Sequence, residues 1–183
     1  ERAACQAAHP QAVESAQMNV IGIDPGIGGA IALLRASAPP CTFHMPTIAA
    51  GKKSGKRAVD HWELASLFRN MVRETSGQIV AVIEDVHAMP GQGVTSMFSF
   101  GRGLGRIEGV LAALGVSCEY VTPATWKAYY KLGRDKEQAR MLARQFWPDI
   151  PLGKKKDHGM AEAMLIARWR LRPEAIAIIE GRA

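Results

Sequence analysis

Two short apolar runs in this chain each end in a carboxylate. Residues 19–24 (NVIGID) stop at Asp24 before Pro25-Gly26, and residues 78–84 (QIVAVIE) stop at Glu84 before a loop. Runs of this length bounded by turn residues read as buried strands. As parallel neighbours, such strands would deliver both acids to one carboxyl edge, where open α/β sheets bind ligands. Further along, His158, Glu162, Leu165, Ile166 and Trp169 follow the spacing of one helical face. The last three are expected to pack on the sheet, which puts His158 and Glu162 on the inward side at the helix start. Asp157 precedes them, either as a plain N-cap or as a further acid of the site. Ionisable groups on a packing face are costly unless something compensates them. Read singly, each strand-end acid is an ordinary turn cap; together they suggest a site.

Carboxylates plus a histidine, without a thiolate, suit a hard divalent cation such as Mg²⁺, whose usual substrates are phosphates. The cation also relieves repulsion between clustered acids. The chemistry this implies is metal-assisted phosphodiester hydrolysis, with two ions serving the attacking water and the leaving oxygen.

A polyanionic substrate needs positive charge. The chain has 183 residues and a net charge of +6. Residues 1–121 carry ten Lys/Arg and ten Asp/Glu, whereas residues 122–183 carry thirteen and seven, so the whole excess lies in the last third. A one-sided basic surface points to nucleic acid. Lys52, Lys53, Lys56, Arg57, Lys154, Lys155 and Lys156 are phosphate-contact candidates. In residues 89–102, Phe98 and Phe100 stand near Arg102 and suit base stacking or wedging, with a place in the helix core as the plain alternative. The stretch GRGLGRIEG (101–109) contains no G-x-G-x-x-G and sits inside a helical pattern, so no nucleotide cofactor is expected from it.

The elements that must position these residues follow from the pattern. Strands are expected at 19–24, 30–34, 41–45, 78–84 and 117–121, with Pro39-Pro40 joining the second and third. Residues 51–57 read as a basic loop. Helices are expected from Asp60, whose side chain with Glu63 forms a capping-box-like start, and at 94–114, 123–131, 135–146 and 158–170. This is an α/β layout with a mixed sheet, and a right-handed crossover places the first strand beside the one ending at Glu84. Length and a 48% apolar, 22% charged composition fit one globular domain. No apolar run approaches the ~18–20 residues of a membrane-crossing helix, and no membrane partner is expected. Three scattered cysteines (Cys5, Cys41, Cys118) argue for a reducing compartment. Residues 1–17 read as a leader, a targeting remnant or a remnant of cloning, 18–172 as the domain, and 173–183 as a tail.

The motifs IGIDPGIGGAIAL (21–33), MPT (45–47), VIED (82–85), MPGQGVTSMFSFGRGLG (89–105), VTPATWK (121–127) and KKKDHGMAEAMLIA (154–167) resemble those of RuvC-type Holliday-junction resolvases, in the phage-type and chloroplast branch. The resemblance implies a ribonuclease-H-like fold, a mixed five-stranded sheet with helices on both faces. It implies a homodimer that binds four-way DNA junctions and cuts two opposing strands with Mg²⁺ or Mn²⁺. By motif, Asp24, Glu84 and Glu162 become metal ligands, while His158 is either a ligand or a positioner of water, with Asp157 beside it. The 89–102 segment, including Gln92 and Met97, becomes the part inserted near the junction centre, and Lys127 joins the DNA contacts. The expected location is with intracellular DNA, a chloroplast nucleoid slightly ahead of a bacterial or phage-infected cytoplasm. Two other readings remain open at this stage: a phosphate-clamp ATPase or kinase of actin-like type, and a junction-binding protein without catalysis.

Overall fold

The structure is a computed structural model that describes residues 18–35, 38–51, 55–87 and 91–172. The expected leader and tail, and with them Lys52 and Lys53, lie outside the described residues. The chain runs β1 (Asn19–Asp24), β2 (Ala30–Arg35), β3 (Ala38–His44), β4 (Thr47–Ala49), β5 (Arg57–Val59), α1 (His61–Arg73), β6 (Ile79–Glu84), α2 (Val94–Ala113), β7 (Ser117–Val121), α3 (Pro123–Tyr129), α4 (Lys136–Phe146) and α5 (His158–Arg170). A 3-10 turn over Lys155–Asp157 leads into α5.

Five strands form one sheet in the order β3-β2-β1-β6-β7. The first three make an antiparallel meander, and β6 and β7 run parallel to β1. The crossover rule thus placed β1 and β6 correctly, in register from Asn19↔Ile79 to Ile23↔Ile83. Both faces of the sheet are covered. Ile21, Ile23, Ile31, Leu33, Ala81 and Ile83 meet Leu64 and Phe68 of α1 and Ile107 and Leu111 of α2. Val20, Ala32, Val80 and Val82 meet Trp126 of α3, Ala139 and Ala143 of α4, and the apolar residues of α5. Double coverage is why these strands read as unbroken apolar runs instead of alternating ones.

Three local expectations are corrected. Helix α5 is buried on every side from Gly159 to Ala167, not along one stripe. It lies between the sheet and α4, and a helix enclosed in this way must be apolar all round. Gly22 permits its close approach: a Cβ there would lie 2.1 Å from the Ala163 carbonyl oxygen and 2.7 Å from the Ala167 nitrogen. Pro39 and Pro40 do not join two strands but lie within β3, an edge strand where missing N–H donors are tolerated. The basic loop ends early, because Arg57 starts β5, which pairs with β4 as a separate small hairpin. There the Arg57 guanidinium donates to the Thr47 hydroxyl at 2.7 Å and to its carbonyl at 2.6 Å.

Candidate active site

Strand parity decides where the two strand-end acids point. Asp24 alternates with Val20 and Gly22, and Glu84 with Val80 and Val82, so both carboxylates emerge on the α5 side of the sheet. The register ends at Ile23↔Ile83, which makes them neighbours at the next step. A tight turn over 25–29 carries the chain back to β2. Its Gly26 N–H approaches Asp24 Oδ1 at 3.3 Å, and Gly29 fits only without a Cβ, which would lie 2.2 Å from the Asp24 carbonyl oxygen. The same turn abuts the start of α5, where a Cβ on Gly159 would meet the backbone of Gly28 and Gly29 at 3.0 Å. Two glycine contacts thereby fix the height of α5 and bring Glu162, 3% exposed, against the strand ends.

The electrostatics report this proximity. Burial pushes the Asp24 carboxyl up to about 6, and the charges of Glu162 and then Glu84 add to the rise. Glu84 is also raised, first by burial and also by Glu162, against the opposing hydrogen bond from Trp126. Three carboxylates that repel one another in a partly dry site are the donor chemistry that fits a hard divalent cation.

The side chains are not, however, arranged as a finished metal cage. Among the described residues no group of three or more His, Cys, Asp or Glu is poised together to hold an ion. The reason is visible in their partners. Glu84 Oε1 accepts from Trp126 Nε1 at 2.9 Å, and Glu162 Oε1 lies 3.1 Å from Lys127 Nζ. Asp157, 3% exposed, accepts the Lys154 backbone N–H at 2.7 Å and lies 4.0 Å from His44 Nε2. It stands at the N-cap position of α5, but its side chain accepts no N–H of that helix and closes the preceding 3-10 turn instead. His158 Nε2 meets Glu137 Oε1 at 2.5 Å, so that nitrogen is turned toward α4. Hydrogen bonds from Arg140 and then His158 hold the Glu137 carboxyl down at about 2.

Positive charge surrounds the acids. A cavity of about 300 Å³ is lined by Asp24, the glycine turn, Lys136, Lys155, Lys156 and His158. A second, of about 340 Å³, is lined by Ile27 of that turn with Lys56, Arg57, Phe100, Arg102 and Arg106 among others. Phe98 is 68% exposed, with the Arg102 guanidinium 5.9 Å from its ring centre; Gln92 and Lys154 are exposed, and Met97 and Phe100 half-buried. Lys127 departs from its expected place: it points at Glu162. Trp126, Lys136, Glu137 and His44 were not foreseen at the site. No periodicity marks them; Lys136 follows the Asp135 N-cap of α4, an ordinary helix start.

No family model and no curated protein matches the chain. Solved structures do. RuvC of Thermus thermophilus in complex with a Holliday junction substrate superposes with a TM-score of 0.56 at 16% identity, over 91% of this chain and 98% of that one. A second Thermus thermophilus RuvC structure gives 0.52 at 18% identity over the same shares. The chain has the RuvC fold. At this identity the likeness is one of architecture: the ribonuclease-H-like mixed sheet with helices on both faces. The chain spans nearly the whole length of those neighbours, so the likeness covers the whole fold.

Proposed function

We propose that this protein is a metal-dependent, structure-selective endonuclease that resolves four-way DNA junctions as a homodimer. The observation that carries the reading is the meeting of Asp24, Glu84 and Glu162 at one sheet edge, with mutual repulsion, beside a cavity rimmed by Lys136, Lys155 and Lys156. The RuvC fold, seen in its neighbour with a Holliday junction, supports the choice of substrate.

Asp24, Glu84 and Glu162 would hold Mg²⁺ or Mn²⁺, with Asp157 or His158 as a fourth contributor. The ion would polarise the phosphodiester and lower the pKa of the attacking water. The chain's own residues do the rest. Lys136, Lys155 and Lys156 offset phosphate charge next to Asp24. Trp126 fixes the orientation of Glu84, and Glu137 fixes that of His158. The cationic cavity between β5 and α2 extends the DNA track away from the acids. The exposed Phe98 is placed to stack on unpaired bases near a branch point.

The direct test is cleavage of a synthetic four-way junction, with duplex and single-strand controls, with and without Mg²⁺. Symmetric cutting of the junction alone, dependent on Mg²⁺ and lost in Asp24→Asn, is the expected result. ATP turnover without junction binding would favour the phosphate-clamp reading, and junction binding with no cutting at any Mg²⁺ concentration would favour a protein without catalysis.

A further inference from the structure

Glu162 is 3% exposed and sits beside two other acids. A buried carboxylate in that position needs a counter-charge. Lys127 Nζ supplies it at 3.1 Å. Trp126, the residue before it, supplies the donor to Glu84. One short helix, α3, therefore answers two of the three acids from adjacent positions. The two answers differ in kind. The Trp126 indole is fully buried and fixed. The Lys127 side chain is 23% exposed, with its ammonium 5.0 Å from the centre of the Trp126 ring, so the charged end can withdraw to water along an aromatic face without crossing the core.

We infer that Lys127 is the internal counter-ion of the acid cluster, which holds Glu162 in the metal-free protein and is exchanged when a divalent cation binds. This deepens the nuclease reading and rests on its metal site. It accounts for a pairing that disagrees with a finished cage: three repelling carboxylates are present, yet no three of the described ligand-type groups are poised together. A lysine suits exchange better than an arginine, since a single ammonium on a flexible stem releases a carboxylate more readily than a bidentate fork does. Trp126 stays in place through the exchange, because its N–H and a cation can share the two oxygens and several lone pairs of Glu84.

The test is calorimetric titration of MnCl₂ into the full chain and into Lys127→Met and Lys127→Arg, with thermal melts of all three in EDTA. Lys127→Met should melt lower than the parent without metal and bind Mn²⁺ about tenfold tighter, a change of ~1.4 kcal/mol. Lys127→Arg should fold as the parent does and bind Mn²⁺ more weakly, so the two substitutions move affinity in opposite directions. Should the methionine variant fail to fold, weaker binding by the arginine variant still carries the inference. Equal Mn²⁺ affinity across the folded proteins, or weaker binding by Lys127→Met, overturns the exchange and leaves the nuclease reading standing. Absence of Mn²⁺ binding in the parent chain overturns both.

Discussion

The acids borne by strands and those borne by the α5 region are answered differently. Asp24 and Glu84 stand at the ends of β1 and β6, and both are pushed up by burial and by neighbouring carboxylates. Glu162 on α5 and Asp157 in the 3-10 turn are at least as deeply buried, yet each has a local answer, the Lys127 ammonium for one and the Lys154 N–H for the other. A parallel sheet edge offers its carboxylates few donors, because its backbone groups are committed to the ladder. A helix start beside a lysine-rich loop and a neighbouring helix has donors to spare. The strand side therefore keeps a repulsion that its neutral donors, the Gly26 N–H and the Trp126 indole, do not cancel, while Glu162 on the helix side has a full counter-charge from within.

The sharpest way to break this comparison is to separate the two sides. Gly22→Ala places a methyl 2.1 Å from the Ala163 carbonyl oxygen, so α5 cannot stay against β1. A loss of about 4 kcal/mol or more is expected in urea unfolding, at the far end of what single substitutions do. Gly28→Ala, whose Cβ meets nothing within 4 Å, should leave the midpoint nearly unchanged. Next come two isosteric neutralisations with opposite effects on stability. Asp24→Asn should cut four-way junctions at least ~10³-fold more slowly, still bind them, and melt at a higher temperature in EDTA because repulsion is relieved. Glu162→Gln should also stop cutting but melt lower, by roughly 1–3 kcal/mol, because Lys127 loses its carboxylate. Equal melting shifts of one sign would show that the two sides are not compensated differently.

A smaller effect follows from pH. Asp24 is raised to about 6 in the fold, above its ordinary carboxylate range. An acid raised in this way stabilises the fold fully below its unfolded pKa of ~4, and that contribution is lost as pH rises through 6. In EDTA, the melting temperature of the parent relative to Asp24→Asn should therefore climb between pH 7 and pH 4. A flat difference would place Asp24 outside the repelling cluster.

Much of this site could be read from residues alone, for a definable reason. The crossover rule and an acid at the end of each apolar run are local or topological facts, and they put Asp24 beside Glu84 from the sequence alone. The spacing of His158 and Glu162 put the latter on a buried helix, although the all-round burial of α5 was masked by its charged start. What sequence could not show depends on side-chain direction across elements. Lys127 reads as one more basic residue in a basic third of the chain, and only the packing of α3 against α5 turns it toward Glu162. Trp126 reads as a core aromatic, which it is, and its single donor happens to serve Glu84. His158 read as ligand or positioner, and its Glu137 partner lies 21 residues away on another helix. The β4–β5 hairpin escaped because three-residue strands carry too little periodicity to register.

The smallest expected effect concerns the lysines that serve neither side of the acid cluster. Lys155 and Lys156 are exposed and line the cavity next to Asp24. If they contact phosphates, each removes condensed counterions from DNA, and each substitution to alanine should reduce the slope of log affinity against log salt by about 0.9. Stability should not move, since both side chains stand in water. Lys127→Met differs on both counts: it should alter the melting temperature while leaving the salt slope of junction binding in EDTA nearly intact, because its ammonium is already neutralised by Glu162. A binding titration at four salt concentrations on the three variants separates lysines that face DNA from the one that faces the acids.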